Sequence, residues 1–234
     1  RGLHEAGVNR LSFGVQSFDA GVLRRLGRIH SPEQAVTSVQ AARATGFTNI
    51  NIDLMFALPG QTMGSWRSTL EQSVALDVPH LSCYSLIVEP DTPFHVWDAQ
   101  GRLARPDNDQ EAAMYETCIE TLQAAGYEHY EVSAFARPGS RCRHNQVYWR
   151  NEEYVGFGNG ATSYIDGDRF TRHRALEDYL RSALSGADTV CERERLDARG
   201  RMGETMMMGM RLLEGVNRAA FRARFGADPV DVWP

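Results

Sequence analysis

N-I-N-I-D-L-M-F-A-L-P-G-Q-T, Asn49 to Thr62, is the stretch from which the fold can be read. Ile50, Ile52, Leu54 and Phe56 alternate with Asn49, Asn51, Asp53 and Met55, the two-residue period of a strand with one apolar and one polar face. An acid therefore stands mid-strand. Leu58-Pro59-Gly60 ends it, because proline has no N–H for a ladder and Pro-Gly is a turn dipeptide. A carboxylate carried toward the C-terminal end of a buried parallel strand is where (β/α) barrels keep their chemistry.

Upstream, Leu11, Phe13 and Val15 alternate with Ser12, Gly14 and Gln16, which predicts another strand with a polar face. Ser17-Phe18-Asp19 opens a helix running through Leu26. Ser31-Pro32-Glu33-Gln34 starts a second one, with Ser31 as N-cap, proline at the first helical position and Gln34 placed to close a capping box. That helix points Ala35, Val36, Val39 and Ala42 inward and stops at Gly46. Downstream, Trp66, Leu70 and Val74 predict a helix over Thr62 to Leu76, and Leu81 to Val88 a third strand. Strand and helix in alternation with short connections predict right-handed βαβ units and a parallel sheet, with doubly wound sheet and barrel both open.

Glu89 to Pro106, rich in proline and aspartate, reads as loop. Asp107 caps a helix to Ala125, and Tyr127 to Phe135 reads as a strand. Beyond the loop Pro138 to Arg141 come an aromatic segment, Gln146 to Tyr154, and glycines at 156, 158 and 160. A short helix over Leu176 to Leu184, a polar linker and a methionine-rich helix near Gly203 to Leu213 follow, with a domain boundary expected around Asp188 to Leu196.

The chain has 234 residues and a formal charge of −5, which argues against a dedicated nucleic-acid binder because phosphate contacts need clustered positive charge. All 25 basic residues are arginine, so Schiff-base chemistry and a P-loop lysine are excluded within it. Cys83, Cys118, Cys142 and Cys191 form no C-x-x-C pair, so no complete zinc or iron–sulfur ligand set is encoded. No apolar run reaches membrane-spanning length, and a cytoplasmic location is the expectation. The start without methionine, inside an apparent helix tail, reads as that of a fragment.

The polar strand faces converge on Gln16, Asn51 and Asp53, with Arg28 in the loop after the first helix. Adenosine and an amino-acid moiety would use such a set, the carboxylate for hydroxyl or amino groups and the guanidinium fork for a carboxylate. Mutual hydrogen bonding inside a barrel is the competing reading. Gly156-x-Gly158-x-Gly160 fits a tight backbone approach better than a dinucleotide loop, since Glu177 and Asp178 fall inside an apparent helix. Met206, Met207, Met208 and Met210 read as adaptable core filling, and Arg193, Glu194 and Arg195 as a solvated face. His144 stands in C-R-H-N-Q-V-Y-W-R beside Arg141, Arg143, Arg150, Tyr148 and Trp149. A porphyrin site needs an axial nitrogen, flat walls and cations for propionates, and this segment holds all three; a plain hydrogen-bonding role is the alternative.

R-L-S-F-G-V-Q-S-F at Arg10 to Phe18, N-I-D-L-M-F-A-L-P-G-Q-T at Asn51 to Thr62, and H-N-Q-V-Y-W with Y-V-G-F-G-N-G-A at His144 to Ala161 resemble the radical S-adenosylmethionine family of oxygen-independent coproporphyrinogen III oxidases and their relatives. The nearest resemblance is to the HemW branch of heme chaperones. It implies an α/β fold, a partial (β/α) TIM-like barrel of radical SAM type holding the later strands. Residues 1–190 would be the C-terminal part of that core and its extension, and residues 191–234 the start of a HemN-type helical C-terminal domain. The family's S-adenosylmethionine positions fall on Gln16, Arg28 and Asp53, and its H-N-x-x-Y-W heme motif on His144, Asn145, Tyr148 and Trp149. The three cysteines of the family's [4Fe-4S] cluster would lie upstream of Arg1, so the resemblance assigns this chain neither a metal ligand nor a catalytic residue. The implied function is heme and S-adenosylmethionine binding with delivery of heme to hemoproteins. The alternative is oxidative decarboxylation of coproporphyrinogen III in porphyrin biosynthesis. Relatives commonly carry histidine where this chain has Thr162, and that histidine's role does not transfer.

Overall fold

The computed structural model describes residues 2–233, which divide into two compact units that part between Arg141 and Cys142. In the first, a short helix α1 (Gly2–Glu5) precedes β1 (Arg10–Gln16), α2 (Ala20–Arg25), α3 (Pro32–Ala44), β2 (Asn49–Phe56), α4 (Met63–Ala75) and β3 (His80–Ser85). Then come α5 (Pro93–Ala99), α6 (Asn108–Ala124), β4 (Glu128–Glu131) and β5 (Ala134–Ala136).

The helix starts are set by side chains that satisfy the first free N–H groups. Ser31 and Gln34 close a capping box at α3, and Asp107 with Gln110 does the same at α6. Thr62 caps α4, with Ser65 returning the hydrogen bond.

The five strands are ordered β1-β2-β3-β5-β4. β1, β2 and β3 run parallel, as the βαβ pattern predicts, whereas β5 is antiparallel to β3 and to β4. Tyr127 to Phe135, expected as one strand, is two strands folded back on each other. The expected loop Glu89 to Pro106 holds α5, started by Thr92 as cap and Pro93 at its first turn.

One face of the sheet is apolar. Ile50, Ile52, Leu54 and Phe56 of β2 are buried with Val39 of α3, Trp66 and Leu70 of α4, and Met114, Cys118 and Leu122 of α6. Each such side chain stabilises the fold by roughly 1.5–3 kcal/mol. Trp66 also donates its Nε1–H to the Met114 carbonyl at 2.8 Å, so its one polar atom is satisfied inside the core. The long helices α3, α4 and α6 thus contribute to one core, on one side of the sheet. A doubly wound sheet carries helices on both faces; this arrangement is that of a barrel wall, with its polar side turned inward.

The second unit holds α7 (Arg143–Trp149), β6 (Thr162–Ile165), β7 (Asp168–Arg172), α8 (Leu176–Ser185), β8 (Val190–Arg195), α9 (Ala198–Gly209), α10 (Arg218–Phe225) and α11 (Pro229–Val232). Its antiparallel sheet is ordered β6-β7-β8. The expected linker at residues 188–196 is largely β8, held to β7 by pairs such as Arg169–Glu194. In α9 the buried positions are Thr205 and Gly209, while Met207 is exposed, so the methionines fill less core than their number suggests. At Gly156 any side chain would collide with the Thr162 carbonyl oxygen, which makes this glycine a close backbone approach.

Candidate functional site

Parallel register sets the polar face of the first unit. Ser12 lies opposite Asn51, Asn51 opposite His80, and Asp53 opposite Ser82, so their side chains project from the side away from the helices. Ser12 Oγ donates to Asp53 Oδ2 at 2.9 Å, and Asn51 Nδ2 donates to Asp53 Oδ1 at 2.8 Å and to Ser12 Oγ at 2.7 Å. Asn51 Oδ1 in turn accepts from Ser82 Oγ at 3.1 Å and faces His80 Nδ1 at 2.6 Å. Asp53 is half-buried, and each of its oxygens, holding one hydrogen bond, keeps acceptor capacity for a ligand.

Gln16 closes β1 with φ at +66°, a left-handed conformation unusual for a residue with a side chain, beside an irregularity in the β1–β2 register. Its side chain folds back over Gly14: a Cβ on Gly14 would stand 2.9 Å from Gln16 Nε2. Gly14 shares the face of Ser12, so the Gln16 amide lies on the same side of the sheet as Asp53. Strained backbone of this kind costs about 1–3 kcal/mol and is concentrated at functional sites.

Arg28 is exposed in the loop between α2 and α3. That loop is tied to the end of β1 by His30, whose Nε2 lies 3.1 Å from the Val15 carbonyl oxygen. α2 is tied to the turn after β2 by Arg25, which donates to the Pro59 and Gly60 carbonyls at 3.0 and 3.2 Å. Gln61 completes that turn, accepting from Leu58 N–H and donating to the Met55 carbonyl, both at 3.2 Å. Gln16, Arg28 and Asp53 are thus carried at or near the C-terminal half of β1 and β2. Amide, guanidinium and carboxylate there suit a nucleoside with an amino-acid tail. Ser12, His80 and Tyr130 belong to this surface and escape sequence reading. The signal for His80 was its place one residue before the apolar alternation at Leu81.

His80 is buried, with Tyr130 Oη 2.8 Å from its Nε2. Burial, and then the nearby Arg10 charge, push its pKa down to about 3, so the ring is neutral at physiological pH.

In the second unit α7 carries the H-N-x-x-Y-W residues. His144 and Tyr148, one turn apart, meet edge to face with ring centroids 4.9 Å apart and the Tyr148 hydroxyl 3.1 Å from His144 Nε2. Tyr148 packs on Tyr154 at 4.7 Å, and the hydroxyl is pushed above its usual pKa by burial and then by Tyr154. His144 itself is exposed. Trp149 is turned elsewhere: the Arg211 guanidinium stacks 4.3 Å from its ring, and its Nε1 is buried without a hydrogen-bond partner among the described residues. It lines a cavity of about 230 Å³ with Leu212, Val216 and Phe221. That volume is below the roughly 300–1,000 Å³ of sites that enclose drug-sized ligands. Cys83, Cys118 and Cys142 are buried and Cys191 is exposed, all as free thiols.

Residues 1–72 match the family model of the Radical SAM superfamily, and residues 196–233 that of the HemN C-terminal domain. The heme chaperone HemW of Bacillus subtilis (strain 168) is 40% identical over 232 residues, which are 99% of this chain and 61% of that protein. The heme chaperone HemW of Escherichia coli (strain K12) is 39% identical over 226 residues, covering 94% of this chain and 57% of that protein. The chain thus spans about three-fifths of the length of these curated relatives. Among solved structures, coproporphyrinogen III oxidase (HemN) from Escherichia coli, a radical SAM enzyme, superposes with a TM-score of 0.78 at 23% identity, over 96% of this chain and 54% of that one. The likeness is one of fold. No helix among the described residues is long and apolar enough to cross a membrane.

Proposed function

Because the chain belongs to the radical SAM superfamily, in the branch that carries the HemN C-terminal domain, we propose that the whole protein is a cytoplasmic heme chaperone that binds heme and S-adenosylmethionine and delivers heme to hemoproteins. The observation that carries this reading is the complete H-N-Q-V-Y-W segment, which sets an exposed His144 against Tyr148 on α7. His144 would hold the heme iron through a ring nitrogen, with Tyr148 orienting the imidazole and Trp149 anchoring the helix through Arg211.

In the first unit, Asp53 would hold hydroxyl or amino groups of S-adenosylmethionine, with Gln16 offering an amide and Arg28 a guanidinium for its carboxylate. The superfamily implies a [4Fe-4S] cluster, which would supply one-electron chemistry when bound. Residues 1–190 then serve as barrel core and extension, and residues from 191 onward as the start of the helical domain.

The test uses the full-length protein. Loaded with heme and mixed with an apo-hemoprotein, it is expected to give up its heme to the acceptor. Reconstituted anaerobically with coproporphyrinogen III, it is expected to form no protoporphyrinogen. Protoporphyrinogen formation without heme transfer would assign it to the oxidases instead.

A further inference from the structure

The polar face of the first unit holds more than the site uses. His80 and Tyr130 are each about 98–99% buried, and they reach the residues assigned to S-adenosylmethionine through Asn51. Burying an imidazole and a phenol is costly unless each polar atom has a partner, and here the partners run in one direction.

Asn51 fixes that direction. Its Nδ2 donates to Asp53 Oδ1 at 2.8 Å and to Ser12 Oγ at 2.7 Å, so its Oδ1 is the acceptor that faces His80. His80 must therefore carry its proton on Nδ1, where it donates to Asn51 at 2.6 Å. Nε2 is then an acceptor, and the Tyr130 hydroxyl donates to it at 2.8 Å. Ser12 accepts from Asn51 and donates its own hydrogen bond to Asp53 Oδ2 at 2.9 Å. Every donor from Tyr130 onward points toward the carboxylate. Turning the Asn51 amide over would set its oxygen against the acceptor-only Asp53 carboxylate, and would require the other tautomer of His80 with the Tyr130 hydroxyl turned to accept.

We propose that His80 and Tyr130 are positioning residues for Asp53, holding the Asn51 amide in the one orientation that presents the carboxylate to a hydroxyl- or amino-bearing ligand. The proposal rests on the reading of Asp53 as an S-adenosylmethionine ligand and extends it to two residues that reach Asp53 through Asn51. A ring kept neutral by burial suits the role, because an imidazolium would donate from both nitrogens and reverse the Tyr130 contact.

The test is S-adenosylmethionine binding to the full-length protein by calorimetry, with thermal melting of each variant. Tyr130→Phe and His80→Gln, which remove the donor at one end or the other, are expected to weaken binding roughly three- to tenfold. His80→Asn places an amide N–H where Nδ1–H stood and is expected to retain binding near the original level; a purely structural role would let both His80 variants fall together with the melting temperature. Proton–nitrogen correlation on the unsubstituted protein, assigned by the signal lost in His80→Asn, is expected to show the Nδ1–H tautomer at neutral pH, and this readout stands if a variant fails to fold. Asp53→Ala separates the two claims. If it leaves affinity unchanged, the ligand reading fails; if it weakens binding while Tyr130→Phe and His80→Gln do not, or if His80 carries its proton on Nε2, the positioning role alone is overturned.

Discussion

The Tyr148 hydroxyl sits 3.1 Å from Nε2 of His144, one helical turn away on α7. With Nε2–H donating to that oxygen, Nδ1 is left as the ligating nitrogen, the arrangement in which a second hydrogen bond makes an imidazole a better metal donor. Tyr148→Phe in the full-length protein is therefore expected to weaken heme binding by about tenfold and to shift the Soret band. Unchanged or tighter binding in a spectral titration would mean that iron takes Nε2 and that the tyrosine competes with it.

Asp53→Ala is expected to weaken S-adenosylmethionine binding by about 1–3 kcal/mol, because ligand groups and the donors of Ser12 and Asn51 lose their acceptor. Calorimetry decides the point, and an affinity equal to that of the unsubstituted protein would remove Asp53 from the site.

Gly14→Ala separates binding from stability. The added Cβ meets only the tip of Gln16, a flexible amide, so the melting temperature is expected to change little while Gln16 is displaced. S-adenosylmethionine binding should fall roughly three- to tenfold. A large drop in melting temperature with binding intact would show that Gly14 serves the strand and not the glutamine.

Much of this geometry was legible beforehand where a local rule had no rival. Ser31 and Asp107 announce their caps, and the alternation around Asp53 gives the strand, its polar face and, with β1, the shared side of Gln16 and Asp53. The turn between β4 and β5 was not legible, because Val132 and Ser133 carry no turn signature and the alternation runs through them. β8 escaped for a different reason: Glu192 to Arg195 have no apolar face, and their strand is held by charged partners on β7. His80 and Tyr130 lie 50 residues apart, and only the register Asn51↔His80 joins them to Asp53.

Acid should expose the buried imidazole. The folded pKa of His80 is about 3 against an ordinary 6.5, so below pH 6.5 the unfolded chain takes up a proton that the folded chain refuses. Its contribution is fully present above pH 6.5 and is lost as pH falls toward 3, at about 2 kcal/mol between pH 7 and pH 5. Urea unfolding at the two pH values should show a larger loss for the unsubstituted protein than for His80→Asn, which has no proton to take. Equal losses would mean that His80 is not held neutral.

The most direct measurement is a heme titration of the full-length protein beside its His144→Ala variant, followed by absorption spectroscopy. A heme chaperone that binds through α7 should lose most of its affinity and its axial-ligand spectrum when the imidazole is removed. The same spectrum and the same dissociation constant in both proteins would contradict the assignment.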